Sequence, residues 1–245
     1  MFFKQLFRSW QEWRRYCRLP ITARRIVFYS EGNIYLKYLR PIIEDLVANH
    51  DVDVCYVTSD EGDGMLVNTP AKISTFCIVA ESIRILFFEN LNADVLVMTM
   101  PDLETFHIKR SRHPVHYAYI HHSIVSTHMI YNPQAFDHFD SIFCAGPHHI
   151  KETRQWEKRF KLKRKVLYKH GYAPIDNLML QAHKSYTIPE FSKEIHVLVA
   201  PSWGPNGLLE TMGETVVTEL LNAGYKVTVR PHPRTNEHTP LVMSS

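Results

Sequence analysis

Histidine is unevenly distributed in this chain: nine of the fifteen histidines lie between His107 and His149. The densest stretch, Tyr119-Ile-His-His-Ser-Ile-Val-Ser-Thr-His128, directly follows an apolar run, Val115–Ile120, that reads as a strand. In open parallel sheets ligands bind at the carboxyl ends of strands. An imidazole placed there serves as a general base, or as a cation facing phosphate. His121 and His122 are neighbours, so on an extended segment they face opposite ways. Neither belongs to an HExxH motif or to an acid-rich ligand set, which argues for acid–base or anion chemistry over a bound metal. Ser123, Ser126, Thr127 and His128 place hydroxyls and a third imidazole beside them. His107, His113, His138 and His149 read instead as surface or helix-cap residues.

Two later loops carry phosphate chemistry. Ala200-Pro-Ser-Trp-Gly-Pro-Asn-Gly207 lies between an expected strand and an expected helix. Ser202, Trp203, Asn206 and Gly207 there form a loop whose backbone amides can approach a phosphate, aided by the partial positive charge of the helix start. The loop matches neither a dinucleotide fingerprint nor a phosphate-loop motif. Val229-Arg-Pro-His-Pro233 ends the next strand. Arg230 offers a planar fork for phosphate oxygens and His232 a proton donor or acceptor, on a path stiffened by two prolines. Two lesser features are Lys158–Lys165, with six basic residues in eight, and Lys169–Asp176, where Asp176 reads as a helix N-cap. Basic runs of this kind usually form a solvated face, and no nucleic-acid partner is expected.

The elements that must position these residues follow from periodicity. Apolar runs at 25–30, 52–58, 72–79, 93–99, 115–120, 141–145 and 165–168 predict strands, and 35–49, 82–91 and 148–160 predict helices. Strands alternating with helices argue for a parallel sheet covered on both faces. After a polar connector at 186–194, strands at 196–200 and 225–229 flank a helix over 211–222. Two strands do not make a stable α/β domain by themselves. The expectation is therefore an N-terminal helix over 1–20, a complete domain over 21–185, and over 186–245 the beginning of a second domain that stops early. The other possibility is that these two strands complete the first sheet.

The charge is concentrated at the start. The first 25 residues hold seven basic side chains and one acid, Glu12, a net of +6 within a chain whose total is +3. Over 2–18, Phe2, Phe3, Leu6, Phe7, Trp10, Trp13 and Cys17 recur at three- and four-residue steps, with Lys4, Arg8, Arg15 and Arg18 mostly opposite. Large aromatics against arginines predict a helix lying on an anionic membrane surface, the alternative being a helix packed on its own domain. No run of apolar residues is long enough to predict a membrane span. The four cysteines show no CxxC spacing and read as free thiols in a reducing compartment.

Taken in order, the strand ending in histidines, the Gly-Tyr segment at Gly171–Asp176, the Ala200–Trp203 loop and the Arg230–His232 strand end resemble the CDP-glycerol glycerophosphotransferases, the teichoic-acid primase and polymerase family. The resemblance covers roughly residues 24–235. It implies a fold of the two-Rossmann-domain GT-B type and transfer of glycerol phosphate from CDP-glycerol to a hydroxyl of a membrane-associated acceptor, with no cofactor beyond that donor. It implies that His122 is the base for the acceptor hydroxyl and that His232 helps to hold the donor pyrophosphate. Ser202, Trp203, Asn206, Gly207 and Arg230 then fall on the donor side, and His121, Ser123 and His128 on the acceptor side. It also implies a cytoplasmic enzyme, peripheral on the inner face of the plasma membrane. This chain has His122-Ser123-Ile124 where the family often has His-Gly-Thr, and Trp203-Gly204 in place of Trp-Arg. Two other readings are a GT-B glycosyltransferase or nucleotide-sugar epimerase and, outside enzymes, a truncated and inactive membrane-surface interaction module.

Overall fold

The computed structural model describes residues 2–104, 108–185 and 195–238. His107 and the 186–194 connector lie outside the described residues. The chain forms two compact units, Met1–Lys184 and Ser185–Ser245.

The first unit is built on seven parallel strands: β1 (Ile26–Ser30), β2 (Val54–Thr58), β3 (Ile73–Cys77), β4 (Val95–Met98), β5 (His116–Ile120), β6 (Ser141–Cys144) and β7 (Val166–Lys169). Their order is β3-β2-β1-β4-β5-β6-β7. The chain starts mid-sheet, builds outward on one side, then returns to the other side of β1. This is a Rossmann-like arrangement whose switch point falls between β1 and β4. Ile26 is in register with Val54 on one side and Val95 on the other.

Alternation within each strand divides the core in two. Val27, Tyr29, Cys55, Val57, Leu96, Met98, Tyr117 and Tyr119 face one layer with Phe87 and Phe88. Phe28, Val54, Tyr56, Val97, Ala118 and Ile120 face the other with Leu36, Leu39 and Ile43. Burial on both faces is why the strands read as continuous apolar runs. Helices α2 (Asn33–His50), α3 (Gly64–Val67), α4 (Glu81–Glu89), α5 (Thr127–Ile130) and α6 (Pro147–Phe160) make the crossings, except that between β4 and β5, where the described residues hold no helix; α7 (Ala173–Ser185) follows β7. Because α7 begins at Ala173, Asp176 lies inside its first turn and is not the N-cap.

The N-terminal helix α1 (Phe2–Arg18) packs on β3 and α4. Leu6 and Trp13 turn inward with Ser9 and Tyr16, and Tyr16 stacks edge-on against Phe76 and Phe87. Ser9 Oγ accepts from the amides of Val79 and Ala80 at the start of α4. Along β3, Glu12 accepts from the Cys77 amide and Arg15 donates to the Thr75 carbonyl. The aromatics predicted to share one face are therefore split. Leu6 and Trp13 join the core, whereas Phe3, Phe7, Trp10 and Cys17 face outward. Contacts through Ser9 and Tyr16, which are seven residues apart on one face, set the rotation, and neither residue stands out in a hydrophobic count.

The β2–α3 turn rests on one buried carboxylate. Asp63 accepts from Tyr56 Oη at 2.7 Å, Thr58 Oγ1 at 2.9 Å and the Met65 amide at 2.9 Å. Asp63→Ala leaves three buried donors without an acceptor and is expected to cost about 2–3 kcal/mol. Urea denaturation would measure this, and a loss within experimental error of zero would show that the turn does not depend on the carboxylate.

The second unit contains β8 (His196–Val199), α8 (Leu208–Asn222), β9 (Lys226–Val229) and α9 (Pro233–His238). The two strands pair in parallel with each other and form a separate two-stranded sheet, so they do not extend the first one.

Candidate functional site

The two histidines at the end of β5 diverge as the alternation of an extended segment requires. His121 points into the layer beneath α6. It is 2% exposed, and neither ring nitrogen has a hydrogen-bond partner. Its ring stacks on His149 with centroids 3.7 Å apart and planes 19° from parallel, while Tyr119 and Phe136 meet it from other sides. Burial pulls its pKa down to about 2, and the neighbouring His149, His122 and His148 act in the same direction. His149 is itself fully buried in the first turn of α6, not on the surface. Its Nδ1 accepts from the Ala145 amide, so Nε2 carries the proton and donates to the Val125 carbonyl at 2.9 Å. His148 Nε2 reaches the Ile124 carbonyl. His149 and His148 thus pin the 121–126 loop to α6. His113 and His138 lie on the surface.

His122 turns the other way, into a recess walled by tyrosines. Ring centroids of Tyr35, Tyr38, Tyr131 and Tyr119 lie 5.4, 6.1, 6.1 and 6.3 Å from the imidazole. Nδ1 is 3.2 Å from Tyr119 Oη, and Nε2 is 3.5 Å from Tyr131 Oη. Tyr172 Oη donates to the His122 carbonyl and sits 3.3 Å from Tyr38 Oη. Burial lowers the His122 pKa, and a hydrogen bond to the Thr99 backbone acts in the opposite sense. Burial raises the pKa of Tyr119 well above the ordinary phenol value and raises that of Tyr131. The imidazole is therefore neutral, and the phenols beside it are neutral too, with the Thr99 backbone as its further partner. In the tautomer that carries its proton on Nδ1, that N–H donates to Tyr119 and the lone pair of Nε2 faces the longer contact, where an incoming hydroxyl would replace Tyr131.

The neighbouring strand ends contribute to the same edge of the sheet. Glu31 follows β1 at the switch point; burial raises its pKa, opposed by Arg84. Burial raises the pKa of Tyr35 and of Tyr119, and the Glu31 charge adds to both shifts, so it belongs to the surroundings of His122. Thr99, after β4, is fully buried and its Oγ1 has no partner. The amide of Asn33, at the start of α2, is already taken by Asp60 Oδ2 at 3.0 Å. The usual phosphate position after the first strand is thus occupied by the chain's own carboxylate.

Of the other acceptor-side candidates, Ser123 is half-buried beside His122 and its Oγ accepts from the Val125 amide. His128 is exposed, with its ring 5.4 Å from Trp156. It lines a cavity of about 120 Å³ with Tyr131, Phe136 and Trp156. Tyr131 is common to this cavity and to the His122 recess. Among the described residues no three His, Cys, Asp or Glu side chains converge as a metal-binding set.

In the second unit, Trp203 gathers the carboxyl ends of β8 and β9. Its ring stacks on His232 at 6.2 Å and on His238 at 5.5 Å, and the Arg234 guanidinium lies 4.8 Å above it. His232 Nδ1 accepts from the Arg234 amide. Ser202, Asn206 and Arg230 are exposed on the same loops. A Cβ on Gly207 would lie 2.1 Å from Glu210 Oε2, so the Glu210 side chain lies over the amino end of α8. The carboxylate of Glu210 thus stands where the loop was expected to meet a phosphate. Arg234 went unnoticed in the sequence, although it directly follows the Arg-Pro-His-Pro run.

Comparison with protein-family models, curated proteins and solved structures gave no match. Among the described residues no helix is long and apolar enough to cross a membrane.

Proposed function

We propose that the chain belongs to a glycerophosphotransferase that moves glycerol phosphate from CDP-glycerol to an acceptor hydroxyl. The observation that carries this reading is the state of His122: neutral, half-buried at a strand's carboxyl end, with Nδ1 on Tyr119 and Nε2 on a long, replaceable contact. The acceptor oxygen attacks the phosphorus that bears glycerol, and its proton passes to His122 Nε2. The pyrophosphate P–O bond breaks and CMP leaves. A base of this kind needs no covalent intermediate, so positioning and charge neutralisation supply the rest. Arg230 and His232 are the groups assigned to the donor pyrophosphate, and Trp203 stacks on His232 to hold its ring. The His128–Trp156 cavity, sharing Tyr131 with the recess, is the acceptor-side groove in this reading.

The test is nucleotide release from a panel of CDP-, UDP- and GDP-linked donors, with melting temperature recorded for each. CMP release confined to CDP-glycerol supports the proposal. Turnover of UDP- or GDP-sugars assigns the recess to a glycosyltransferase or epimerase instead. No release and no thermal shift with any donor overturns the enzymatic reading.

A further inference from the structure

Strand β7 lies at one side of the seven-stranded sheet, and among the described residues β6 is its one strand partner. The Val166 amide donates to the Asp140 carbonyl and the His170 amide to the Cys144 carbonyl. Along a parallel strand, alternate residues turn their N–H and C=O groups to opposite sides. Val166, Tyr168 and His170 therefore face β6, and the peptide groups of Leu167 and Lys169 face outward. Among the described residues no hydrogen bond reaches those outward groups. After Gly171 the chain returns toward β5, where Tyr172 Oη donates to the His122 carbonyl. The side chains along this row are half-open. Leu167 packs on the core, whereas Val166 and Tyr168, on the other face, are 48% and 47% exposed. Lys161, Lys163 and Arg164 precede the strand and Lys169 ends it, all four exposed. Of the neighbouring carboxylates, Glu157 is paired with Arg154, and Asp140 with Arg110 and Lys163. Lys161, Arg164 and Lys169 are left without an acidic partner among the described residues.

We infer that the open side of β7 takes an acidic peptide, in extended conformation, as an eighth strand. Strand addition uses main-chain hydrogen bonds for affinity and the flanking side chains for specificity. A bilayer or a nucleic-acid backbone presents no row of alternating N–H and C=O groups to meet Leu167 and Lys169, so the open peptide groups call for another peptide. Charge then selects among peptides. A second copy of the chain would bring the same four cations against these, and like charges across a strand pair repel. An acidic segment sets carboxylates beside Lys161, Lys163 and Arg164 at one end and Lys169 at the other. Its apolar residues cover Val166 and Tyr168. The strand spans about 13 Å at about 3.3 Å per residue, so a short segment is enough to fill it. The inference goes beyond the transferase reading and does not rest on it, because peptide binding is measured without nucleotide.

The test is fluorescence anisotropy of the full chain with a labelled peptide of about ten residues that alternates glutamate and valine. Binding is expected for this peptide and not for its lysine–valine counterpart, and it should weaken as salt rises from about 0.05 to 0.5 M. The same acidic peptide methylated at every backbone nitrogen keeps its charge and loses its donors, so it should bind at least about tenfold more weakly. Lys161→Gln, Arg164→Gln and Lys169→Gln together should also weaken binding at least about tenfold and flatten the salt dependence. The three side chains are exposed, so this variant keeps the wild-type melting temperature, and that measurement separates lost binding from lost folding. Equal affinity for the methylated and unmethylated peptides overturns the inference, since a merely solvated basic face does not distinguish them. So does a chain that binds neither, or one that binds a single-stranded oligonucleotide more tightly than the acidic peptide.

Discussion

His122→Gln is expected to reduce CDP-glycerol-dependent CMP release by about 10²–10⁴-fold, the range in which a positioned general base contributes. Glutamine keeps polarity and approximate volume at the end of β5, so Tyr119 and Tyr131 retain hydrogen-bonding partners. It takes up no proton near neutral pH. The loss should therefore fall on kcat, with KM and melting temperature little changed. The wild-type pH profile gives a separate signature. Burial lowers the His122 pKa, so the base remains neutral as pH falls through 6.5, and the acid limb appears below the ordinary imidazole range. Tyr119→Phe removes the partner of Nδ1 and frees the ring to turn. Tyr119 is a positioning residue, so its loss should lower kcat by about tenfold and shift the acid limb, a change that loosened packing alone does not produce. Retention of most activity by His122→Gln would remove it from the mechanism.

Acid should destabilise this domain well above the pH at which carboxylates titrate. His121, His122, His149 and His170 all have lowered pKa values, with burial the first cause in each. For a group depressed in the folded state, the unfolded chain binds the proton first. The stability it contributes is complete above the unfolded pKa of about 6.5 and is lost as pH falls toward the folded value. With its pKa near 2, His121 alone gives up about 2 kcal/mol between pH 6.5 and 5. The other three add in the same direction. Glu31 and Asp102, whose pKa values are raised, oppose them over the lower part of that window. Urea midpoints at pH 7, 6 and 5 should therefore fall steadily. His121→Phe should flatten the fall and raise stability at pH 7, because it replaces a buried imidazole lacking partners by a ring that needs none. A lower midpoint at pH 7 for this variant would mean that His121 is held by a hydrogen bond worth more than its desolvation.

The sheet was legible because its strands are buried on both faces. IVFYS, VCYVT and HYAYI are continuous apolar runs separated by helical periods, and the structure turns them into β1, β2 and β5. The short elements were not legible. α3 and α5 have four residues each, and their apolar residues follow contacts with the sheet instead of a repeat. His122 could be singled out by its place after a strand. Its surroundings could not, since Tyr35 and Tyr38 come from α2, Tyr131 follows α5, and Tyr172 sits between β7 and α7. No spacing in the chain relates these four. Glu31 did leave a signal, a lone charge directly after a fully apolar strand, and it belonged among the candidates. The faces of α1 were misjudged for a related reason: a hydrophobic count weighs Phe and Trp alike, whereas Ser9, a small polar residue, decides which side meets α4.

The contacts of Glu12 and Arg15 with β3 bear on how the protein survives outside its folded neighbours. β3 ends the sheet, and the peptide groups on its outer side are those that invite pairing with another chain. Here the Cys77 amide and the Thr75 carbonyl are claimed by α1. Loss of the first twenty residues would uncover a naked sheet margin next to the Phe76 and Phe87 rings that Tyr16 covers. Such a shortened protein should self-associate through its open margin, so the helix acts as a guard against fibril-like stacking.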